Sequence, residues 1–204
     1  MAAAPKRIEE MLRDAGITPI AGVDEAGRGP CAGPLVIASV ILDDPFADIW
    51  KDIRDSKELS EKKREALFDV INENALDVSV IEISVEEIDS RGVHAANLDG
   101  MRRAVNGLKQ QPGYVLTDGY AIDGIAAPNV AVWKGDQVSI AIGAASIIAK
   151  VTRDRIMTEL DAAYPEYGFA GHKGYSSAAH TAAMRTHGVT PVHRKSFSNV
   201  AELL

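Results

Sequence analysis

Apolar positions along the chain follow two periods. Residues 20–24 are a short apolar run ending in acid, and residues 35–42 (LVIASVIL) are a β-branched run after a turn rich in glycine and proline. Both read as strands, the second one buried. Only a loop separates them, so they are expected to lie side by side and antiparallel. Residues 78–85 (VSVIEISV) alternate and give a third strand. Residues 114–117 and 129–133 are two more short runs, ending at Asp118 and at Lys134-Gly135-Asp136. Helical spacing appears over residues 6–14 and after Ser60, where Leu67, Val70 and Ile71 form the apolar stripe and Glu61 suits the first turn. It returns over 97–108, through Leu98, Met101, Val105 and Leu108. Residues 138–163 read as one long helix ended by Pro165, and Ser177 caps another that Gly188 closes. Residues 168–175 (GFAGHKGY) read as a glycine-rich loop. This order predicts an α/β domain whose mixed sheet has five strands flanked by helices. Residues 1–160 are expected to form the core and 161–204 a helical extension, in one structural unit.

Composition narrows the setting. The chain has 204 residues, 46% of them hydrophobic, enough for a packed core without a disulfide or a structural metal. Cys31 is the single cysteine, so no intrachain disulfide is possible and a reducing compartment is suited. Residues 1–16 mix charged and apolar residues and resemble no export signal. The longest uncharged stretch, 29–42, is interrupted by Pro30 and Pro34 and is too short to cross a bilayer. A soluble cytoplasmic protein is expected, with no membrane partner. The net charge of −7 speaks against a polyanionic partner. Its distribution softens that objection: residues 150–195 hold seven Lys/Arg and four Asp/Glu, a local +3 that leaves −10 elsewhere. Four of the five histidines (His172, His180, His187, His193) share that stretch. An uneven but merely solvated surface accounts for the same numbers.

Candidate chemistry sits at the strand ends. Asp24, Asp118 and Asp136 each follow an apolar run and lie next to or near glycine. Sites in α/β sheets assemble at such ends. Carboxylates converging there repel one another unless a cation neutralises them, and hard oxygen donors select Mg²⁺ or Mn²⁺. Two such ions are a standard means of splitting a phosphodiester. Singly, an Asp before Gly also reads as a turn residue bonding its own backbone. Asp24-Glu25 is harder to dismiss, because two adjacent acids precede Ala26-Gly27-Arg28-Gly29. Neighbouring strand residues point to opposite faces. Both acids therefore serve one site only if the strand breaks at Glu25 or if Glu25 offers its main-chain carbonyl. The glycines that follow favour a break at Glu25. Gly27-Arg28-Gly29 allows close main-chain approach to a ligand, such as the 2′-hydroxyl that distinguishes RNA from DNA.

The segment DEAGRGPCAGP at 24–34 resembles the signature of the type 2 ribonuclease H family. Asp55-Ser56-Lys57-Glu58-Leu59, Thr117-Asp118-Gly119, Lys134-Gly135-Asp136 with AASIIAKVTRD at 144–154, and His172-Lys173-Gly174-Tyr175 resemble it in the same order. The resemblance spans roughly residues 20–195. It implies an RNase H-like core with a C-terminal helical part, acting as an endonuclease. The substrate would be an RNA–DNA hybrid, or duplex DNA carrying embedded ribonucleotides. It implies two divalent ions, Mn²⁺ or Mg²⁺, held by Asp24, Glu25, Asp118 and Asp136. By the same resemblance Gly27, Arg28 and Gly29 contact the 2′-hydroxyl, and Tyr175 stacks on the deoxyribose after the last ribonucleotide. Ser56, Lys57, Ser146 and Lys150 contact phosphates. Asp154 is expected to pair with Arg153 or Arg155 in a structural role, and Cys31 to be a small buried filler. Ser176-Ser177 departs from the Gly-Thr common in the family. A monomer is expected, and NVAELL at the end resembles no sliding-clamp peptide. A different two-metal nuclease of this fold, or a binding module without turnover, stays open. No G-x-S-x-G elbow supports a serine hydrolase.

Overall fold

The computed structural model describes residues 8–53, 56 and 59–204. In chain order these form α1 (Ile8–Asp14), β1 (Ile20–Ala26), β2 (Leu35–Ile41), α2 (Glu61–Asn74), β3 (Asp77–Ile83), α3 (Val85–Arg91), α4 (Val93–Asn106), β4 (Tyr114–Asp118) and β5 (Asn129–Val132). Then follow α5 (Gly135–Val138), α6 (Ile140–Ala163), α7 (Phe169–His172), α8 (Ala178–His187) and α9 (Ser198–Ala201). The five strands form one mixed sheet in the order β3-β2-β1-β4-β5. β1 and β3 flank β2 antiparallel, whereas β1, β4 and β5 run parallel.

Strand alternation feeds two cores. Val36, Ala38 and Val40 of β2 pack with Ile147, Ile148 and Val151 of α6 and with Leu67 and Ile71 of α2. Ile37 and Ile41 face the other way, with Ala21 and Val23, toward Ile88, Met101 and Ala104. All seven residues of β2 are therefore buried, as a strand covered on both faces requires. α6 reaches the sheet at Gly22, where a Cβ would lie 2.0 Å from the Ala141 carbonyl carbon. No larger residue permits that contact. A third cluster, with Cys31, Met157, Phe169, Met184 and Val200, joins the end of α6 to α7, α8 and α9.

Three local readings are corrected. The helix expected over 138–163 is split: Ser139 is extended between α5 and α6, and its hydroxyl caps α6 by accepting the Ile142 N–H. Serine competes for backbone groups in this way and favours caps over helix interiors. Val85 belongs to α3 rather than to the third strand, because Ser84 accepts the Glu87 N–H and starts a helix there. The stretch 168–175 contains the helical turn α7. The cap at Ser60 accepts the Lys63 N–H, and Ser177 accepts that of His180, as the pattern predicts. Among the described residues no helix is long and apolar enough to cross a membrane.

Candidate active site

β1 and β4 are parallel neighbours with Val23 opposite Thr117. One residue further, Asp24 and Asp118 stand side by side at the C-terminal ends of their strands. Alternation puts both on the face covered by α6: Gly22 meets Ala141, and Leu116 packs with Ile142. Asp24 is buried and accepts the Glu25 N–H at 2.7 Å. Ser146 of α6 also donates to it, and the Ser146 hydroxyl lies 2.8 Å from that of Ser56. Burial holds the Asp24 carboxyl well above the usual carboxylate range, and the negative charges of Glu25 and Asp118 push it further. A divalent cation relieves all three effects at once.

Asp118 accepts the Gly135 N–H at 2.7 Å. That bond ties the tip of β4 to the start of α5, whose next residue is the buried Asp136. Among the described residues, no three acid, histidine or cysteine side chains close around a common metal position. The fit to a divalent ion rests on the donor chemistry and on the raised carboxyl of Asp24 beside Asp118.

The expected break at Glu25 is not found. β1 stays paired through Ala26, opposite Val36, and turns at Gly27, where φ is +97°. The side chain of Glu25 therefore takes the face opposite Asp24, which leaves its main chain as the part nearest that acid. Gly27 is needed twice over, for its φ and because a Cβ there would meet Arg153 Nε at 1.9 Å.

A cavity of about 260 Å³ opens here, lined by Asp24, Glu25, Gly27, Arg28, Gly29, Ser56, Ser146, Lys150, Arg153 and Tyr175. It gathers nearly every residue singled out from the sequence. Asp118 and Asp136 lie outside its wall, and Lys57 lies outside the described residues. The Tyr175 ring is half exposed and stands over Gly29, where a Cβ would be 3.6 Å from Tyr175 Cε1. A larger cavity, about 420 Å³ beside Glu9 and Ile20, contains none of these groups.

Two cations at the site are engaged by neighbouring side chains. Lys150 pairs with Asp154 at 2.6 Å, so its charge is partly engaged within α6. Asp154 forms an ion pair as expected, but its partner is Lys150 rather than Arg153 or Arg155; Arg155 pairs with Glu65. The Arg28 side chain donates to the Tyr120 hydroxyl and lies over that ring.

Arg194, which the sequence did not mark, and Arg153, expected only as a partner of Asp154, support the site from behind. Buried Arg194 donates to the carbonyls of Gly27 at 2.7 Å, Arg28 at 3.2 Å and Gly33 at 3.0 Å. Buried Arg153 donates to those of Ala32, Pro34 and Lys173. In a trans peptide the C=O and N–H point opposite ways. With its carbonyls turned toward Arg194, the loop directs the N–H groups of Arg28 and Gly29 away from it. No local signal marks Arg194, because its partners lie more than 160 positions away in the chain.

A five-stranded mixed sheet with paired strand-end acids beneath α6 defines a nuclease of the RNase H-like class. The crystal structure of ribonuclease H2 from Pyrococcus horikoshii superposes with a TM-score of 0.79 at 31% identity, covering 91% of this chain and 97% of that one. The Ribonuclease HII family model matches residues 21–200. Ribonuclease HII of Nocardia farcinica is 53% identical over 199 residues, 98% of this chain and 79% of that protein. That of Corynebacterium jeikeium is 51% identical over 195 residues, 95% of this chain and 94% of that protein. The chain belongs to the ribonuclease HII family of hydrolytic endonucleases, whose activity is cleavage of RNA in RNA–DNA hybrids.

Proposed function

We propose that this protein hydrolyses the phosphodiester 5′ to a ribonucleotide, in RNA–DNA hybrids and in duplex DNA with single embedded ribonucleotides. The reading is carried by one juxtaposition: Asp24 beside Asp118 at the strand ends, with the main chain of residues 27–29 and the Tyr175 ring around one cavity. Asp24, Asp118, Asp136 and the main-chain carbonyl of Glu25 would hold two divalent ions, Mg²⁺ or Mn²⁺. When bound, these ions would supply Lewis acidity at the scissile phosphate. The acids orient a water for in-line attack on phosphorus; the water loses a proton to solvent as its oxygen bonds phosphorus, the P–O3′ bond breaks, and O3′ takes up a proton from solvent, so the products end in a 3′-hydroxyl and a 5′-phosphate.

The N–H groups of Arg28 and Gly29 recognise the 2′-hydroxyl, supported by the Arg194 bonds that turn them outward. The ring of Tyr175 packs on the next sugar and rejects an added hydroxyl there, so cleavage falls 5′ to the ribonucleotide that precedes a deoxynucleotide. Ser56 and Ser146 help fix Asp24 and face the phosphate; Lys57 and Lys150 add positive charge. The helical extension, 161–204, contributes the Tyr175 side of the substrate surface. Such an enzyme acts in the cytoplasm, as a monomer, in removing misincorporated ribonucleotides.

The test is a labelled duplex with one ribonucleotide, incubated with Mn²⁺, Mg²⁺ or EDTA beside an all-DNA duplex. Metal-dependent nicking 5′ to the ribonucleotide, with the all-DNA duplex intact, is the expected result. Cleavage of long hybrid alone would remove the junction roles of Tyr175 and the 27–29 loop.

A further inference from the structure

Behind Tyr175 lie two buried imidazoles and a buried thiol, with a third, half-buried imidazole stacked on one of them, that catalysis does not use. His180 and His193 are fully buried, and His172 stacks on His180 with ring centroids 4.4 Å apart. Cys31 Sγ lies 3.8 Å from His180 Nδ1. Cysteine with three histidines is a composition that suggests zinc. The hydrogen bonds argue otherwise, because each imidazole nitrogen already has a partner.

Those partners also fix the protons. The Thr190 N–H lies 3.1 Å from His193 Nδ1, and a main-chain N–H only donates, so Nδ1 is an acceptor. In the neutral ring the hydrogen then sits on Nε2, which faces His180 Nε2 at 3.0 Å. His180 Nε2 must therefore accept, which puts its own hydrogen on Nδ1. That atom lies 2.9 Å from the Tyr175 carbonyl, a group that only accepts. The two ends of the chain, read independently, require the same tautomers. Burial pushes His193 down to about 4 and His180 below its usual value, so both are neutral at neutral pH. His172 fixes the same loop from its other side, accepting the Gly174 N–H at 3.2 Å and reaching the Tyr167 carbonyl at 2.8 Å. The loop needs such support: Lys173 and Gly174 are consecutive residues with positive φ, and a side chain at Lys173 is strained there.

We propose that the neutral His180–His193 pair is the positioning element for Tyr175, clamping its main chain from Thr190 so that the exposed ring keeps one orientation over the 27–29 loop. The inference rests on the reading of Tyr175 as the junction-sensing ring. It makes His180 and His193 specificity determinants that touch no substrate.

The experiment compares kcat/KM on a duplex with one ribonucleotide and on a long hybrid for Tyr175→Ala, His180→Leu, His180→Asn and the double variant Tyr175→Ala with His180→Leu. The single-site-to-hybrid ratio is expected to fall about tenfold in His180→Leu, the scale of one lost buried hydrogen bond. His180→Asn places an amide N–H where Nδ1–H stood and is expected to restore most of the ratio. The double variant is expected to match Tyr175→Ala alone, because both changes act through one ring. A ratio lowered by Tyr175→Ala but unmoved by His180→Leu overturns the inference and leaves the tyrosine reading standing. A ratio unmoved by Tyr175→Ala overturns that reading and the inference with it. If His180→Leu does not fold, His180→Asn is compared with His180→Gln, whose amide sits one bond too far out; equal ratios overturn the clamp. Imidazole ¹⁵N spectra of the wild-type protein supply a readout independent of turnover. Hydrogen on Nδ1 of His180 and Nε2 of His193 is expected, and the opposite tautomers overturn the inference.

Discussion

Arg194→Met tests whether the 27–29 loop is held from behind. Arg194 is buried, and its three hydrogen bonds to the carbonyls of Gly27, Arg28 and Gly33 are 2.7, 3.2 and 3.0 Å long. Bonds from a charged donor contribute about 1.5 kcal/mol each at the low end, so three set a scale of about 4–5 kcal/mol. Desolvation works against this: burial, with Arg153 nearby, pushes the guanidinium down to about 9. Methionine fills similar space without a charge and relieves that penalty, so the net loss is placed at about 2–3 kcal/mol. For a chain of this size the loss lowers Tm by about 5–10 °C. Arg194→Lys keeps the charge but loses the planar fork, and is expected to cost a similar amount. The assay is thermal unfolding followed by circular dichroism, paired with cleavage of the single-ribonucleotide duplex. Turnover is expected to fall at least about tenfold at a temperature where the variant is folded, because the Arg28 and Gly29 N–H groups lose their fixed direction. A variant with a lowered Tm but wild-type cleavage would refute the link between Arg194 and the loop's direction. An unchanged Tm would refute the energetic account.

Asp118→Asn keeps an oxygen for the Gly135 N–H, so the fold is expected to survive while cleavage drops by orders of magnitude; melting and turnover on one preparation check both. Asp24→Asn makes an opposite pair of changes. The folded-state pKa of Asp24 is raised, so above the unfolded value the unfolded chain ionises more readily and stability falls as pH rises. The metal-free Asn variant is therefore expected to melt higher than wild type at pH 7 and to lose activity, and added Mg²⁺ or Mn²⁺ to raise the Tm of wild type but not of the variant. His193 titrates with the other sign. Its folded pKa is depressed to about 4, so the unfolded chain takes up the proton first and stability declines as pH falls from about 6.5 toward 4, by up to about 3 kcal/mol. Denaturant titrations across that range are expected to show the decline in wild type and a shallower one in His193→Gln.

The sheet was legible because β-branched runs and alternation survive in each strand, and β1 and β2 pair as the short connection between them requires. α3 was hidden because Val85 extends the alternation of β3, while the cap at Ser84 acts only on hydrogen-bond geometry. The motif residues of the site were legible for a different reason. Asp24, the 27–29 loop and Tyr175 are sequence signatures, and the fold brings their segments to one cavity. Their support was not legible. Arg153, Arg194, His180 and His193 act through main-chain carbonyls and through one another, and a carbonyl leaves no trace in a sequence.

Charge shows the same divide. A net charge of −7 gives little reason to expect a nucleic-acid partner. Yet Arg153 and Arg194 sit buried behind the 27–29 loop with all their described hydrogen bonds going to neutral carbonyls. A guanidinium bonded to carbonyls keeps its full charge, and in a low-dielectric setting its field reaches further than that of a solvated surface lysine. Lys150, which the sequence marks as a cation for phosphate, spends part of its charge on Asp154 at 2.6 Å. The positive charge beside the cavity therefore comes largely from residues that hold a loop in place, and it faces the acids Asp24 and Glu25 in the lining of the same cavity; the acidic remainder of the surface is screened beyond about a Debye length, ~8 Å at physiological salt. Where the charge sits, rather than how much there is, decides what this face can bind.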